Sequence, residues 1–239
     1  MTPTYILPTL GLDDVFIVPT RDGSDTLFSR TYQATYHSIF GAVSESRHVF
    51  IQNGLYTLPD HEEIAVLEFG FGSGLNAFLA YIFSLRHGTR VTYTGIEAYP
   101  IDIRVARQLN YPAYLAVPEE RDVFERMHTE MAFQTEGFNF SRIGEVSDIP
   151  ADVRFDCIFF DAFAPGAQPS LWDQPTFEKL YMMTAPGGCL VTYCTQGEVR
   201  RKMIHAGYEV HRIPGPPGKR EMIRAVKQYV PLKASTHPP

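Results

Sequence analysis

Short apolar segments alternate with segments of helical periodicity over most of the chain. Apolar segments of about four to eight residues are typical of strands buried on both faces, whereas apolar residues three and four positions apart are typical of helices. This alternation predicts an α/β fold with an open, mostly parallel sheet, whose last strand is antiparallel after the stiff PGPPG loop. The predicted strands span residues 64–69, 91–97, 138–146, 155–161, 189–194, 208–213 and 220–227, and the predicted helices span 75–85, 101–109, 112–131, 175–183 and 199–206.

The first 59 residues precede the first core strand and have local patterns of their own. Residues 32–43 have apolar positions at helical spacing, and residues 25–28 and 48–51 resemble short strands. The Asn53-Gly54 dipeptide is a turn signal. We interpret this segment as an extension that packs beside or over the ligand site.

The charge of the chain is unevenly distributed. The formal net charge is −6, but residues 200–239 contain nine Lys and Arg against two acids, a net of +7, and the remainder carries −13. A basic C-terminal region suits a phosphate-bearing partner such as RNA, although a solvated basic surface has the same composition. No segment reaches the ~20 apolar residues that a membrane helix needs, and the N-terminus has no signal-peptide pattern. We therefore expect a cytoplasmic protein with no membrane partner.

The three cysteines, Cys157, Cys189 and Cys194, lie in apolar segments without the spacing of metal ligands. An odd number of buried cysteines is typical of a protein in a reducing compartment. We expect neither a disulfide framework nor a zinc site.

One stretch, residues 64–76, joins a predicted strand to a predicted helix through alternating glycines, and Glu68 stands two positions before the first of them. Glycines permit a tight turn and close approach of a ligand at the positive end of a helix. The third glycine comes one position earlier than in the dinucleotide motif G-x-G-x-x-G. The pattern E-x-G-x-G-x-G is instead that of sites for S-adenosyl-L-methionine (AdoMet). The candidate AdoMet-binding residues of this stretch are Glu68, Gly70, Gly72, Gly74 and Asn76.

Three predicted strands end in an acid, namely Glu68, Glu97 and Asp161. In an open parallel sheet, ligands bind beyond the carboxyl ends of the strands. We therefore expect these carboxylates to converge on one site, with Glu97 accepting hydrogen bonds from ribose hydroxyls. Glu145, near the end of the third predicted strand, is a candidate for the adenine side of that site.

Several longer motifs are more specific than the glycine turn. They are EFGFGSGLN (68–76), FDAFAPGAQPSLW (160–172), APGGCLVTYCTQGEVRRKMIHAGY (185–208) and GKREMIRA (218–225), preceded by YHSIFGAVSESRHVFIQNGL (36–55). With these motifs, the chain resembles the methyltransferase domain of the bifunctional tRNA 5-methylaminomethyl-2-thiouridine biosynthesis proteins (MnmC type), in a stand-alone form. The resemblance covers about residues 25–228 and implies a Rossmann-like class I methyltransferase sheet with its last strand reversed. We accordingly divide the chain into an N-terminal extension (1–59), an AdoMet-dependent methyltransferase domain (60–230) and a tail (231–239).

The resemblance also implies a reaction. The methyl group of AdoMet would pass to the 5-aminomethyl nitrogen of a (2-thio)uridine at the wobble position of tRNA. Asp161 would contact AdoMet, hold the amine and accept its proton, and no metal ion is needed. Bifunctional members carry an FAD-dependent oxidase domain after this one, whereas this sequence ends at Pro239. We therefore expect a separate oxidase, or another route to the aminomethyl group.

The tRNA would be recognised by residues that follow Asp161 in the chain. Phe163 and Trp172 would either stack on the uracil ring or pack their loop onto the domain, and Pro165 lies in the same loop. Lys219 and Arg220 would contact tRNA phosphates, so that affinity should fall steeply with salt.

Two other functions stay open at this point. A small-amine methyltransferase or an aminopropyltransferase-like enzyme would share the sheet and the strand-end acid, and a net charge of −6 suits a cationic small substrate. Such an enzyme usually has a second acid three positions after Asp161, where this chain has Ala164. A non-catalytic AdoMet- or RNA-binding module would have no need of all three strand-end acids.

Overall fold

Residues 14–59 and 61–229 are described by the computed structural model, so the predicted tail lies outside the described residues. These residues form an eight-stranded mixed sheet and a three-stranded antiparallel sheet. The strands are β1 (Val15–Pro19), β2 (Asp25–Ser29), β3 (Ala34–Thr35), β4 (Glu63–Phe69), β5 (Arg90–Ile96), β6 (Ala132–Thr135), β7 (Phe138–Ile143), β8 (Phe155–Phe160), β9 (Thr184–Thr192), β10 (Glu209–Pro214) and β11 (Glu221–Val226). The α-helices are α1 (Ala42–Ser46), α2 (Leu75–His87), α3 (Ile103–Ala106), α4 (Tyr111–Tyr114), α5 (Arg121–Thr129), α6 (Gln174–Met183) and α7 (Gly197–Ala206).

The large sheet has the order β10-β11-β9-β8-β4-β5-β7-β6. Strands β7, β5, β4, β8 and β9 are parallel, whereas β6, β11 and β10 run antiparallel to their neighbours. The chain moves outward from β4 through β5 to β7, and then returns to β8 on the other side of β4. This reversal opens a crevice at the carboxyl ends of β4 and β8, where ligands of such sheets bind.

The sequence pattern correctly predicted the large sheet, including its antiparallel last strand. It missed β6, which is an edge strand of four residues joined to β7 through a hairpin turn at Gly137. Helix α2 follows the glycine turn directly, and residues 75–84 are all buried. Because a helix buried all round lacks a polar face, α2 lies within the core of the domain.

The N-terminal predictions were right for β2 and wrong for the two segments that follow it. Residues 32–41 are not helical, and α1 begins only at Ala42. Strand β3 pairs with β2 instead, and the backbone N–H of Tyr36 donates to the carbonyl of Leu27 at 2.8 Å. Residues 47–52 form a π-helical turn rather than a strand. The helical spacing misled here because the pairing of β3 with β2 keeps the backbone extended, and Ile39 and Phe40 stay exposed instead of forming a buried helical face. For residues 48–51, a short apolar run does not distinguish a strand from a helical turn.

His128 in α5 is buried between the rings of Phe71 and Phe124, with centroid distances of 5.2 and 5.0 Å. Among the described residues, neither ring nitrogen has a hydrogen bond of normal geometry. Burial, reinforced by the nearby charge of Arg142, lowers the pKa of His128 to about 3.

We expect His128→Leu to make folding less sensitive to acid. An unfolded histidine has a pKa of ~6.5. As the pH falls below this value, the unfolded wild type binds a proton at His128 while the folded protein does not, and the equilibrium shifts toward the unfolded state. The contribution of His128 to stability is therefore lost from pH ~6.5 down to its folded pKa. At ~1.4 kcal/mol per pH unit, the wild type should lose about 3 kcal/mol more than the variant between pH 7 and pH 4. Urea unfolding of both proteins at several pH values measures this difference, and a pH-independent difference would contradict the assignment.

Candidate active site

The glycine turn connects β4 to α2 and forms one wall of the crevice. Gly70, Gly72 and Gly74 have φ angles of 89°, 50° and 76°, a region that favours glycine. A Cβ atom on Gly70 would lie 2.8 Å from the carbonyl oxygen of Asp161. One on Gly72 would lie 2.9 Å from the ring of Tyr36. The turn thus needs glycine both for its backbone conformation and for its contacts with neighbouring segments.

Glu97, directly after β5, fixes the same turn from the side. Its Oε2 accepts a hydrogen bond from the N–H of Gly72 at 2.8 Å, and its Oε1 accepts one from the N–H of Tyr99 at 2.9 Å. Burial raises the pKa of Glu97 above its usual value.

Glu68 and Asp161 are joined by a single amide. The Nδ2 of Asn76 donates to Oε1 of Glu68 and to Oδ2 of Asp161, both at 2.8 Å. The Glu68 side chain is fully buried, and the Asp161 side chain is 7% exposed. Burial raises the pKa of both carboxyl groups well above the usual range, and the charge of Glu45 adds to the shift at Asp161. Asp161 is therefore a stronger proton acceptor than an ordinary aspartate.

A cavity of about 650 Å³ lies at this end of the sheet. Its lining includes five of the eight residues predicted to bind AdoMet, namely Gly70, Gly72, Glu97, Glu145 and Asp161. The other three, Glu68, Gly74 and Asn76, support the wall instead, and their direct contact with AdoMet stays a prediction.

The cavity fits AdoMet in size and in chemistry. Small-molecule sites are typically ~300–1,000 Å³. Gly70 and Gly72 line the cavity without side chains, and the carboxylates of Glu97 and Asp161 suit ribose hydroxyls and positive charge.

The loop after β8 corrects one sequence prediction. Trp172 is only 1% exposed, its ring packs edge-on against Phe160, and its indole N–H donates to the carbonyl of Phe163 at 2.7 Å. Trp172 therefore packs the loop onto the domain and is not placed to stack on a base. Phe163 does line the cavity, where its ring stacks on Tyr32 with a centroid distance of 4.4 Å.

A second, smaller cavity of about 340 Å³ lies on the other side of this loop. Its lining includes the predicted substrate residues Pro165, Lys219 and Arg220. The ammonium of Lys219 donates to Oε1 of Glu45 at 2.6 Å and lies 3.9 Å from the ring centroid of Tyr193. The two basic residues are therefore positioned beside Asp161's loop rather than on a remote surface.

The sequence analysis expected the N-terminal extension beside or over the ligand site, but it did not identify which of its residues reach the site. Tyr32 and Tyr36 line the larger cavity, and the Nδ1 atom of His37 lies 3.8 Å from Oδ2 of Asp161. No signal in a single sequence distinguishes these residues from core aromatics, because the segment reaches the site only through its pairing with β2.

The chain was compared with protein-family models. Residues 120–228 match the model of the family described as S-adenosyl-L-methionine-dependent methyltransferase. Relatives include the tRNA 5-methylaminomethyl-2-thiouridine biosynthesis bifunctional protein MnmC of Pseudomonas aeruginosa (strain PAO1), which is 32% identical over 225 residues. That alignment covers 86% of this chain and 34% of the relative. The chain is an S-adenosyl-L-methionine-dependent methyltransferase. It resembles the methyltransferase part of the MnmC proteins and spans about a third of the length of these curated relatives.

Solved structures agree on the fold of this methyltransferase. MNMC2 from Aquifex aeolicus superposes with a TM-score of 0.72 at 22% identity, covering 90% of this chain and 71% of that chain. The spermidine synthase of Thermotoga maritima gives a TM-score of 0.53 at 13% identity, covering 92% and 71%. These structures confirm the predicted class I methyltransferase fold.

Two further features concern partners of the methyltransferase. Within residues 14–59 and 61–229, no helix is both long and apolar enough to cross a membrane. Over the same residues, no three His, Cys, Asp or Glu side chains are grouped so as to hold a metal ion.

Proposed function

We propose that this methyltransferase transfers the methyl group of AdoMet to the 5-aminomethyl nitrogen of a (2-thio)uridine at the wobble position of tRNA. The observation that carries the proposal is the position of the buried Asp161 carboxylate. It lines the larger, AdoMet-sized cavity, and the loop that begins at Asp161 lies between this cavity and the second, smaller one, which Lys219 and Arg220 line. The name of the MnmC relatives supports the substrate, because it refers to 5-methylaminomethyl-2-thiouridine in tRNA.

The chemical task of the site is to present a neutral amine. A free alkylammonium has a pKa of ~10.4 and no lone pair for attack. Asp161, ionised and buried, would attract the ammonium by charge and then accept one of its protons. When bound, AdoMet supplies a methyl group on a positively charged sulfur, so that a N–C bond forms, the C–S bond breaks and the sulfur keeps the electron pair. The products are a secondary ammonium on the tRNA and S-adenosylhomocysteine.

The remaining site residues would bind and orient. Gly70 and Gly72 would admit the cofactor close to the backbone, Glu97 would accept hydrogen bonds from ribose hydroxyls, and Glu145 would lie on the adenine side. Well-aligned reactants gain roughly 7–11 kcal/mol from proximity alone. Glu68 would act through Asn76 by holding Asp161 in place.

The tRNA side of the proposal rests on the second cavity. Lys219 and Arg220 line it, and they would contact phosphates, with Pro165 and Phe163 forming the neighbouring wall for the nucleoside. We propose that residues 1–59 form an extension that completes this wall, because Tyr32 and Tyr36 line the adjoining cavity. A separate oxidase reaction would supply the aminomethyl group of the substrate. We further propose a cytoplasmic location, where the enzyme would meet its tRNA.

The deciding experiment is methyl transfer from labelled AdoMet to tRNA that carries the unmethylated aminomethyl group. We expect label in one wobble nucleoside after digestion, and we expect tRNA affinity to fall steeply with salt, since phosphate contacts release counterions. Spermidine, putrescine and tRNA already carrying the methylaminomethyl group serve as controls. Label in a polyamine with none in tRNA would establish the small-amine alternative, which the spermidine synthase fold alone does not favour.

A further inference from the structure

A chain of polar side chains leads from the core to Asp161 through His37. The hydroxyl of Tyr111 donates to Oγ of Ser73 at 3.2 Å, and Ser73 Oγ lies 2.9 Å from Nε2 of His37. On the other side of the ring, Nδ1 lies 3.5 Å from Oγ of Ser46 and 3.8 Å from Oδ2 of Asp161. Tyr111, Ser73 and Ser46 are buried, and His37 is 6% exposed.

The contact with Ser73 favours the tautomer of His37 that carries its hydrogen on Nδ1. Ser73 Oγ already accepts from Tyr111, so its own hydrogen is free to be donated to Nε2. A neutral imidazole that accepts at Nε2 carries its hydrogen on Nδ1. That hydrogen then faces the Asp161 carboxylate.

Burial keeps the His37 ring neutral although charged groups lie around it. The charged groups that face it are Asp161 beyond β8, Glu45 on α1 and, bound to Glu45, Lys219 from the loop between β10 and β11. Burial outweighs the attraction of Glu45 and lowers the pKa of His37 to about 4. The ring therefore acts near neutral pH as a hydrogen-bond donor and not as a cation.

We propose that His37 is a positioning residue for Asp161, with its Nδ1–H held against Oδ2 by the Tyr111–Ser73 pair. Oδ2 also accepts from Asn76, so Oδ1 would be the oxygen that receives the amine proton. The gap of 3.8 Å is longer than a hydrogen bond, but catalytic hydrogen bonds are often long before substrate binds and shorten in the complex. The inference rests on the proposed role of Asp161.

Two amide substitutions separate positioning from packing. In His37→Asn, the amide nitrogen takes approximately the place of Nδ1 and can donate to Asp161. In His37→Gln, the amide reaches the place of Nε2 and can bond only to Ser73. We expect H37Q to lose about tenfold in kcat, a fraction of the ~10²–10⁴-fold that proton transfer contributes, while H37N stays near the wild type. The acidic limb of the kcat profile should move to higher pH in H37Q, because removing a donor from a carboxylate raises the carboxyl pKa.

Both variants should keep the wild-type affinity for AdoMet and the wild-type melting temperature. Equal losses in H37N and H37Q, or a loss in AdoMet affinity with unchanged kcat, would overturn the proposal. The tautomer is measured separately, from the long-range ¹H–¹⁵N spectrum of the wild type, with the His37 signal identified by its loss in H37N. A hydrogen on Nδ1 supports the proposal and one on Nε2 overturns it. Failure of the wild type to methylate tRNA would refute the proposed substrate, and the tautomer would still decide the role of His37.

Discussion

An Asp161→Asn variant will bind AdoMet with wild-type affinity but turn over about 10²–10⁴-fold more slowly. The amide has the shape of the carboxylate, and its oxygen can still accept the hydrogen bond from Asn76. It does not accept a proton and carries no charge to attract the substrate. The amine then stays protonated near neutral pH, because its pKa of ~10.4 is unopposed.

The measurement is kcat at saturating AdoMet and tRNA, together with AdoMet affinity by calorimetry. Asp152→Asn is a matched control, because Asp152 is exposed and the same charge is removed away from both cavities. We expect this control to retain full turnover. Wild-type turnover in Asp161→Asn, or a loss confined to AdoMet binding, would refute the role of Asp161 as proton acceptor.

A Gly70→Ala variant will lose AdoMet binding by about 100-fold, equivalent to ~2.7 kcal/mol. Gly70 has a φ of 89°, and an added Cβ would lie 2.8 Å from the carbonyl oxygen and 3.1 Å from the carbonyl carbon of Asp161. These are backbone atoms, so they move only if the end of β8 moves away from β4. The change would widen the crevice at the point where the cofactor meets the turn.

Gly137→Ala separates this contact from backbone strain. Gly137 has a φ of 79°, but an added Cβ there would meet no atom within 4 Å. A non-glycine residue in the left-handed region costs ~1–2 kcal/mol of stability. Both variants should therefore unfold at lower urea concentration, while only Gly70→Ala should lose AdoMet affinity in an equilibrium binding measurement. Equal AdoMet affinities for the two variants would show that the contact with Asp161 has no part in binding.

The cofactor side of the site was predictable because its residues are close in sequence and have a recognisable order. A buried strand, an acid, alternating glycines and a helix all indicate the same turn, and residues 64–76 form it. Glu97 and Asp161 were predictable for a related reason: the carboxyl ends of parallel strands meet at one edge of the sheet. Asn76 was predicted as an AdoMet-binding residue, and its bridge between Glu68 and Asp161 emerged only from the structure.

The substrate side was predicted less well because it depends on contacts between distant segments. Aromatic residues at helical spacing in residues 32–43 indicated a helix, yet the pairing of β3 with β2 directs Tyr36 into the cavity. Trp172 was the opposite case, a residue in a ligand-side loop that is buried in the core. Composition alone does not distinguish an aromatic ring that packs a loop from one that receives a base.

The ion pair between Glu45 and Lys219 joins residues 174 positions apart, and the ring of His48 contacts the carbonyl of Pro214 across 166 positions. Such contacts close very long loops. Because closing a long loop costs conformational entropy, we expect these contacts to form late in folding. On the ribosome, the extension emerges before the β10–β11 hairpin, so its contacts with that hairpin form only after the hairpin has been synthesised. The glycine turn and its neighbouring strands precede the hairpin in the chain, whereas the wall that Lys219 and Arg220 contribute to the second cavity depends on it. We therefore expect the nascent chain to complete its cofactor side before the basic wall of its substrate side.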